Sequence, residues 1–148
     1  MQIHIRKAVI EDMAFVHRLV QELAEYEKEP EAVTTTVAQY EADLETGRFS
    51  VLVAETGSGV IAGMALYYPV YSTWKGPYLW LEDLVVQESF RRHGIGTLLM
   101  DALENEARAA GFPLLRWQVL DWNTPAISFY KARSAQHDAA WHTYRQWL

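Results

Sequence analysis

The sequence contains no cysteine, which excludes disulfides, thiolate metal sites and a cysteine nucleophile. It also lacks a basic excess: 13 Lys and Arg stand against 19 Asp and Glu, for a net charge of −6. That makes it a poor candidate for non-specific nucleic-acid binding, which is driven by phosphate neutralisation, and no nucleic-acid partner is expected. No apolar run approaches the roughly 20 residues that cross a bilayer. The opening Met1–Arg6 stretch lacks the apolar block of a signal peptide. A cytoplasmic protein without membrane contact is the expectation. His4, His17, His93, His137 and His142 show no metal-ligand spacing, so no metal is expected. Internal repeats, low-complexity segments and linkers are missing too.

What remains is 148 residues, half of them hydrophobic and 13% aromatic. That is enough for one domain with a sizeable core, and it excludes a disordered polymer. We read residues 1–148 as a single domain. Charge is unevenly spread, with eleven acids and five bases in residues 1–56 and eight of each in residues 57–148. The acidic half is either a solvated face or one side of a site that attracts a cation.

The hydrophobic pattern predicts an α/β (α+β) architecture, a mixed central sheet with helices on both faces. Ile3–Arg6 alternates as a strand. Val16, Leu19, Val20 and Leu23 recur at helical spacing between Asp12 and Glu27. Thr34, Thr35 and Thr36 offer N-caps for a second helix that stops at Gly47. Phe49–Glu55 and Val60–Tyr68 flank a Gly57-Ser58-Gly59 turn and predict an antiparallel hairpin. Tyr78–Val86 is an apolar strand interrupted by two adjacent carboxylates, Glu82 and Asp83. A helix over Gly94–Ala110 follows, then a strand over Leu114–Leu120. Thr124 caps a short helix with Pro125 at its first position. Trp141–Trp147 reads as a closing strand.

Arg91-Arg92-His93-Gly94-Ile95-Gly96-Thr97 joins the apolar strand to the long helix. Glycines let the backbone turn tightly and let a ligand reach the amides. The first amides of a helix have no intrahelical acceptor and sit at the positive end of its dipole, which suits a diphosphate. The same stretch is also compatible with an ordinary tight turn. A dinucleotide fingerprint would need a third glycine where Leu99 stands, and no Gly-Lys-Ser/Thr run makes a P-loop.

The pattern Arg91-x-x-Gly94-x-Gly96, directly after an apolar strand and opening a helix, resembles the acetyl-CoA pyrophosphate loop of the GNAT acetyltransferases. Trp122–Lys131 (WNTPAISFYK) resembles the second signature of that superfamily. Leu23–Glu27, Tyr71–Gly76 and Leu81-Glu82-Asp83 are similar to the spermidine/spermine acetyltransferase branch. Ser72–Gly76 and Val119–Asn123 lean toward its thialysine-acetylating members.

This resemblance implies a GNAT fold and a co-substrate, acetyl-CoA, lying between the strands that end at Val86 and Leu120. The backbone of Leu84, Val85 and Val86 would pair with the pantetheine arm. The stretch Arg91, Arg92, His93, Gly94, Ile95, Gly96 and Thr97 would hold the pyrophosphate. Asn123, Thr124, Pro125, Ala126 and Tyr130 would meet the cofactor from the other side. An alkyl amine with a pKa of about 10.4 costs roughly 4–5 kcal/mol to deprotonate at pH 7. The resemblance gives that proton to Glu82, through a water, and makes Tyr130 the acid that protonates the leaving thiolate. Backbone amides of the Tyr78–Val86 strand would polarise the acetyl carbonyl. Glu27 and Asp83 would supply negative charge to the acceptor, and Trp74 and Tyr26 aromatic faces.

The expected activity is N-acetylation of a primary amine on a small molecule: a diamine, a polyamine or a lysine-like compound such as thialysine. Transfer would be direct, in a ternary complex, by a homodimer. A peptide or protein acetyltransferase and a non-catalytic acyl-CoA-binding module are the rival readings. The chain departs from the family pattern at Ser134, where glycine is usual. It departs again at Ser72 and Ala139, where polyamine-specific members carry acids.

Overall fold

The computed structural model describes all 148 residues. Its order is β1 (Ile3–Lys7), α1 (Met13–Tyr26), α2 (Val37–Glu45), β2 (Ser50–Thr56), β3 (Ile61–Ser72), β4 (Gly76–Val86), α3 (Ile95–Ala109), β5 (Leu115–Arg116) and α4 (Thr124–Ala132). Short 3-10 turns cover Ile10–Asp12, Pro30–Ala32 and Glu88–Phe90. The chain divides into a unit of residues 1–117, which holds the whole sheet, and a unit of residues 118–148.

In the first unit the strands follow one another across the sheet from β1 to β5. The first three pairings are antiparallel, and β4 pairs with β5 in parallel, as a mixed sheet requires. The period-2 pattern sends alternate side chains to opposite faces. Val51, Val53, Met64, Leu66 and Val85 meet Met13, Val16 and Leu19 of α1 in one core. On the other face α3 buries Ile95, Leu99, Met100 and Leu103. Gly63 lets α3 come close: a Cβ there would stand 3.4 Å from Ile95 and Leu99 and 2.8 Å from the Val85 carbonyl.

Local signals explain the helix ends. The Thr36 hydroxyl accepts from the Gln39 amide at 3.1 Å and caps α2. The end of α1 is closed by Lys28 in the left-handed region, with the Glu29 amide donating to the Ala24 carbonyl at 2.8 Å.

Three sequence expectations need correction. The Leu114–Leu120 strand shrinks to β5, two residues long, because its ladder ends at Trp80 opposite Arg116. Just beyond Trp80 a β-bulge interrupts the β3–β4 ladder, and a bulge bends and twists its strand away from a straight neighbour. The cap of α4 is Asn123, not Thr124. The Asn123 side chain accepts from the Ala126 amide at 3.4 Å, and Thr124 is already helical. Trp141–Trp147 alternates like a strand but forms none, since a strand needs a partner for its backbone groups. Within the second unit Gln118 Nε2 donates to Thr143 Oγ1 of this segment at 3.1 Å, and Arg145 lies over the Trp147 ring at 5.5 Å.

Candidate active site

The bulge is the central feature of the site. Leu66 pairs with Asp83 and Tyr67 with Leu81, so Glu82 is the extra residue on β4. Adjacent residues of a regular strand point to opposite faces. Here the extra residue breaks the alternation, and both carboxylates serve the face covered by α1 and α2. Glu82 Oε2 accepts from the Tyr68 hydroxyl at 2.7 Å and from Trp80 Nε1 at 2.9 Å. Asp83 senses Glu27 at the end of α1. Burial, with Glu82 and Glu27 adding like charge, pushes the Asp83 carboxyl up to about 7. Burial also raises the Glu27 carboxyl. Tyr40 of α2 lies in the field of both β4 carboxylates, and its hydroxyl is raised, chiefly by burial. None of Glu27, Glu82 and Asp83 belongs to an ion pair; the pairs lie elsewhere.

On the other side of β4, past Trp80, no strand pairs with the backbone. Gln87 donates its amide to the Ala62 carbonyl at 2.8 Å, so by alternation Val85 also turns its polar groups to β3. Leu84 and Val86 then direct theirs to the free edge, where β5 no longer reaches. Of the three residues expected to pair with an extended ligand, Leu84 and Val86 are thus presented, whereas Val85 is committed to β3 and its side chain to the core. Arg91 lies at this edge, its Nε donating to the Val86 carbonyl at 3.1 Å and its guanidinium over the Tyr26 ring at 5.7 Å.

The loop that follows fits an anion. Gly94 sits before α3 at φ 75° and Arg92 also occupies the left-handed region, at φ 65°. Such a conformation costs a non-glycine residue roughly 1–2 kcal/mol, and residues held that way cluster at ligand sites. The first intrahelical bond runs from the Leu98 amide to the Gly94 carbonyl at 3.1 Å, leaving the amides of Ile95, Gly96 and Thr97 without helical acceptors. The Ile95 side chain is buried and anchors the turn, while Arg92, His93 and Thr97 are exposed. His93 is tied by Nδ1 to the Phe90 carbonyl at 3.1 Å. Free edge, free amides and two arginines together fit the extended arm and diphosphate of coenzyme A.

Trp74 is not brought to the acids. It sits 82% exposed at the tip of the β3–β4 hairpin, where Ser72 Oγ accepts from the Trp74 and Lys75 amides, both at 3.2 Å. From Gly76 to Glu82 is about 20 Å of strand. Ser72 thus spends its side chain on the turn.

In the second unit, Tyr130 on α4 stacks edge-on against Phe129 at 5.4 Å, and burial pushes its hydroxyl up to about 12. Thr124 and Pro125 are exposed at the start of α4, and Ala126 is half-buried. Ser134, after α4, adopts φ 62°, the conformation for which glycine is usual. Sequence reasoning missed Tyr68, Trp80 and Tyr40. Trp80 had a signal, since residues two apart on a strand share a face; Tyr68 and Tyr40 needed the register and the helix packing.

The chain resembles known proteins in fold and in sequence. An aminoglycoside acetyltransferase from an uncultured soil metagenomic sample superposes with a TM-score of 0.82 over 99% of this chain and 97% of its own, at 20% identity. An aminoglycoside N-acetyltransferase solved in complex with CoA superposes at 0.78 over 98% and 95%, at 19% identity. Both likenesses concern the fold. In sequence, the thialysine N-epsilon-acetyltransferase of Bos taurus is 39% identical, across 95% of this chain and 90% of its own. That of Caenorhabditis elegans is 41% identical across 76% and 69%. The model of the acetyltransferase (GNAT) family matches residues 14–134, so the chain belongs to that family, whose members transfer an acetyl group from acetyl-CoA to an amine.

Proposed function

We propose that this protein acetylates a primary amine of a small molecule that carries a second charged group: a diamine, a polyamine or a lysine-like compound such as thialysine. One observation carries this reading. Glu27, Glu82 and Asp83 converge on one face of the sheet with no counter-ion, an arrangement that attracts a cationic acceptor. The similarity to thialysine acetyltransferases supports the same acceptor class.

The chain's own groups divide the work. Leu84 and Val86 hold the pantetheine arm by backbone bonds, and the amides of Ile95, Gly96 and Thr97 hold the diphosphate. Arg91 and Arg92 add charge beside them, His93 fastens the loop, and Asn123 to Ala126 support the thioester end. Acetyl-CoA supplies the acetyl group and a thiolate leaving group. Glu82 takes the amine proton through a water, making the nitrogen nucleophilic. Tyr130, protonated at neutral pH, returns a proton to the sulfur. Asp83, Glu27 and Tyr26 orient the acceptor. No covalent enzyme intermediate is required, so transfer is direct within a ternary complex.

Residues 1–148 act as one catalytic domain, in a cytoplasmic homodimer. The exposed Trp141, Tyr144 and Trp147, on a segment that has the strand alternation but no partner, support association of two copies. Light scattering of the purified protein tests that point. The activity itself is tested by free-thiol release from acetyl-CoA with diamines, polyamines, thialysine, lysine and short peptides. Turnover with small amines supports the reading, turnover only with peptides replaces it, and binding without turnover on any acceptor removes it.

A further inference from the structure

Tyr68 and Trp80 stand directly opposite each other in the β3–β4 register, one pair before the bulge. From opposite strands they deliver an O–H and an N–H to the same atom, Oε2 of Glu82, at 2.7 and 2.9 Å. No hydrogen bond reaches Oε1. Both donors are held by the sheet. Tyr68 packs against the α1-side core, and Trp80 is the last β4 residue held by strands on both sides, β3 through Tyr68 and β5 through Arg116. A lone glutamate on an exposed strand surface samples several rotamers; one clamped through a single oxygen has its other oxygen aimed.

We infer that Tyr68 and Trp80 are positioning residues for amine deprotonation, fixing Glu82 through Oε2 so that Oε1 alone faces the acceptor and its water. The inference rests on the proposed role of Glu82. The other titratable groups facing this carboxylate are Asp83 beside it on β4 and Tyr40 from α2, with Glu27 of α1 behind Asp83. Tyr68 remains a donor throughout the working range, because burial and the neighbouring Glu82 hold its hydroxyl protonated well above pH 10.

The test compares Tyr68→Phe, Trp80→Phe and Glu82→Gln with the parent, using thialysine or the best acceptor of the amine screen. Each of the first two should lower kcat about tenfold at about pH 7, within the range that misplacing a catalytic group produces. KM for acetyl-CoA, the calorimetric affinity for CoA and the melting temperature should stay near those of the parent. As pH rises toward about 10 the amine loses its proton unaided, and the deficit of both variants should close to within about twofold. A deficit equal at both pH values would mean damaged packing and would overturn the inference, as would no deficit at all. Tyr68→Phe removes one atom and keeps the ring, so it decides the matter if Trp80→Phe does not fold. If Glu82→Gln is slow while both positioning variants are normal, only this inference fails. If Glu82→Gln is as fast as the parent, the assigned role of Glu82 fails first.

Discussion

Asp83 on β4 lies in the field of Glu27 at the end of α1, and neither carboxylate belongs to an ion pair. The folded chain therefore holds the Asp83 proton up to about pH 7, whereas an unfolded aspartate releases it near 3.9. Between those values the folded state binds more protons, so the cost of this group to stability builds up from about pH 4 and is complete above about 7. Asp83→Asn should raise the melting temperature most at about pH 8, less at about pH 5–6, and change it little at about pH 4 and below. The same group predicts that a cationic amine, by favouring the ionised carboxylate, releases a proton as it binds below about pH 7. Binding heats measured in buffers of different ionisation enthalpy report that proton directly; heats independent of the buffer would show that the amine does not engage Asp83.

A cluster on β1 behaves oppositely. Arg6 grips the buried Asp12 with bonds of 2.8 and 3.1 Å and reaches Glu55 on β2 at 3.0 Å. These bonds hold both carboxyls below their usual range. Their contribution is complete above about pH 4–5 and disappears as pH falls through the lowered folded values. Asp12→Ala also takes the acceptor from the Val9 amide, bonded at 2.8 Å. It should cost about 2 kcal/mol at neutral pH, as hydrogen bonds to charged groups do, and shift the acid-unfolding midpoint. Urea melts at neutral and acidic pH would check both.

Gly63→Ala should destabilise the fold by about 1–3 kcal/mol through overpacking. The added carbon meets the Val85 carbonyl, a backbone atom with no rotamer to yield. Because Val86 pairs with Gly63 and presents the free edge, affinity for CoA should fall with the melting temperature. Thermal melts and calorimetry on one preparation test the coupling; normal CoA affinity in a destabilised variant would detach the two.

Tyr130→Phe should lower turnover by about 100-fold or more, the usual worth of a positioned acid, with CoA binding unchanged. The parent hydroxyl, pushed up to about 12, stays protonated through neutral pH, as the proposed acid role requires. Steady-state rates beside CoA titrations are sufficient, and unchanged turnover would take Tyr130 out of the acid role.

Much of this molecule is legible as pattern. Val16, Leu19 and Leu23 announce α1, Thr36 announces the start of α2, and the glycines announce turns, because each signal is local and periodic. The loop before α3 is equally local: Gly94, read as a tight-turn glycine, precedes the helix at a positive φ. Ser134, flagged as standing where glycine is usual, does adopt a positive φ. What escapes depends on distant partners. Nothing between Leu114 and Leu120 says that only Leu115 and Arg116 find a neighbour. The alternation of Trp141–Trp147 is real but offers no mate. The adjacent acids Glu82 and Asp83 interrupt an apolar strand in the sequence, but only the register reveals a bulge that turns both toward one face. Tyr68 joins Glu82 across fourteen residues of chain, a separation that no window around Glu82 spans.

The brevity of β5 has a consequence for handling as well as for chemistry. From Leu84 to Val86 β4 has no strand partner on the side away from β3, and unpaired strand edges are the kind of surface on which foreign chains nucleate aggregates. On the proposed binding mode a thioester ligand would lie along that edge, and the reactant would then also serve as a shield. Loss of CoA during purification should then show first as turbidity on storage, before any change in secondary structure.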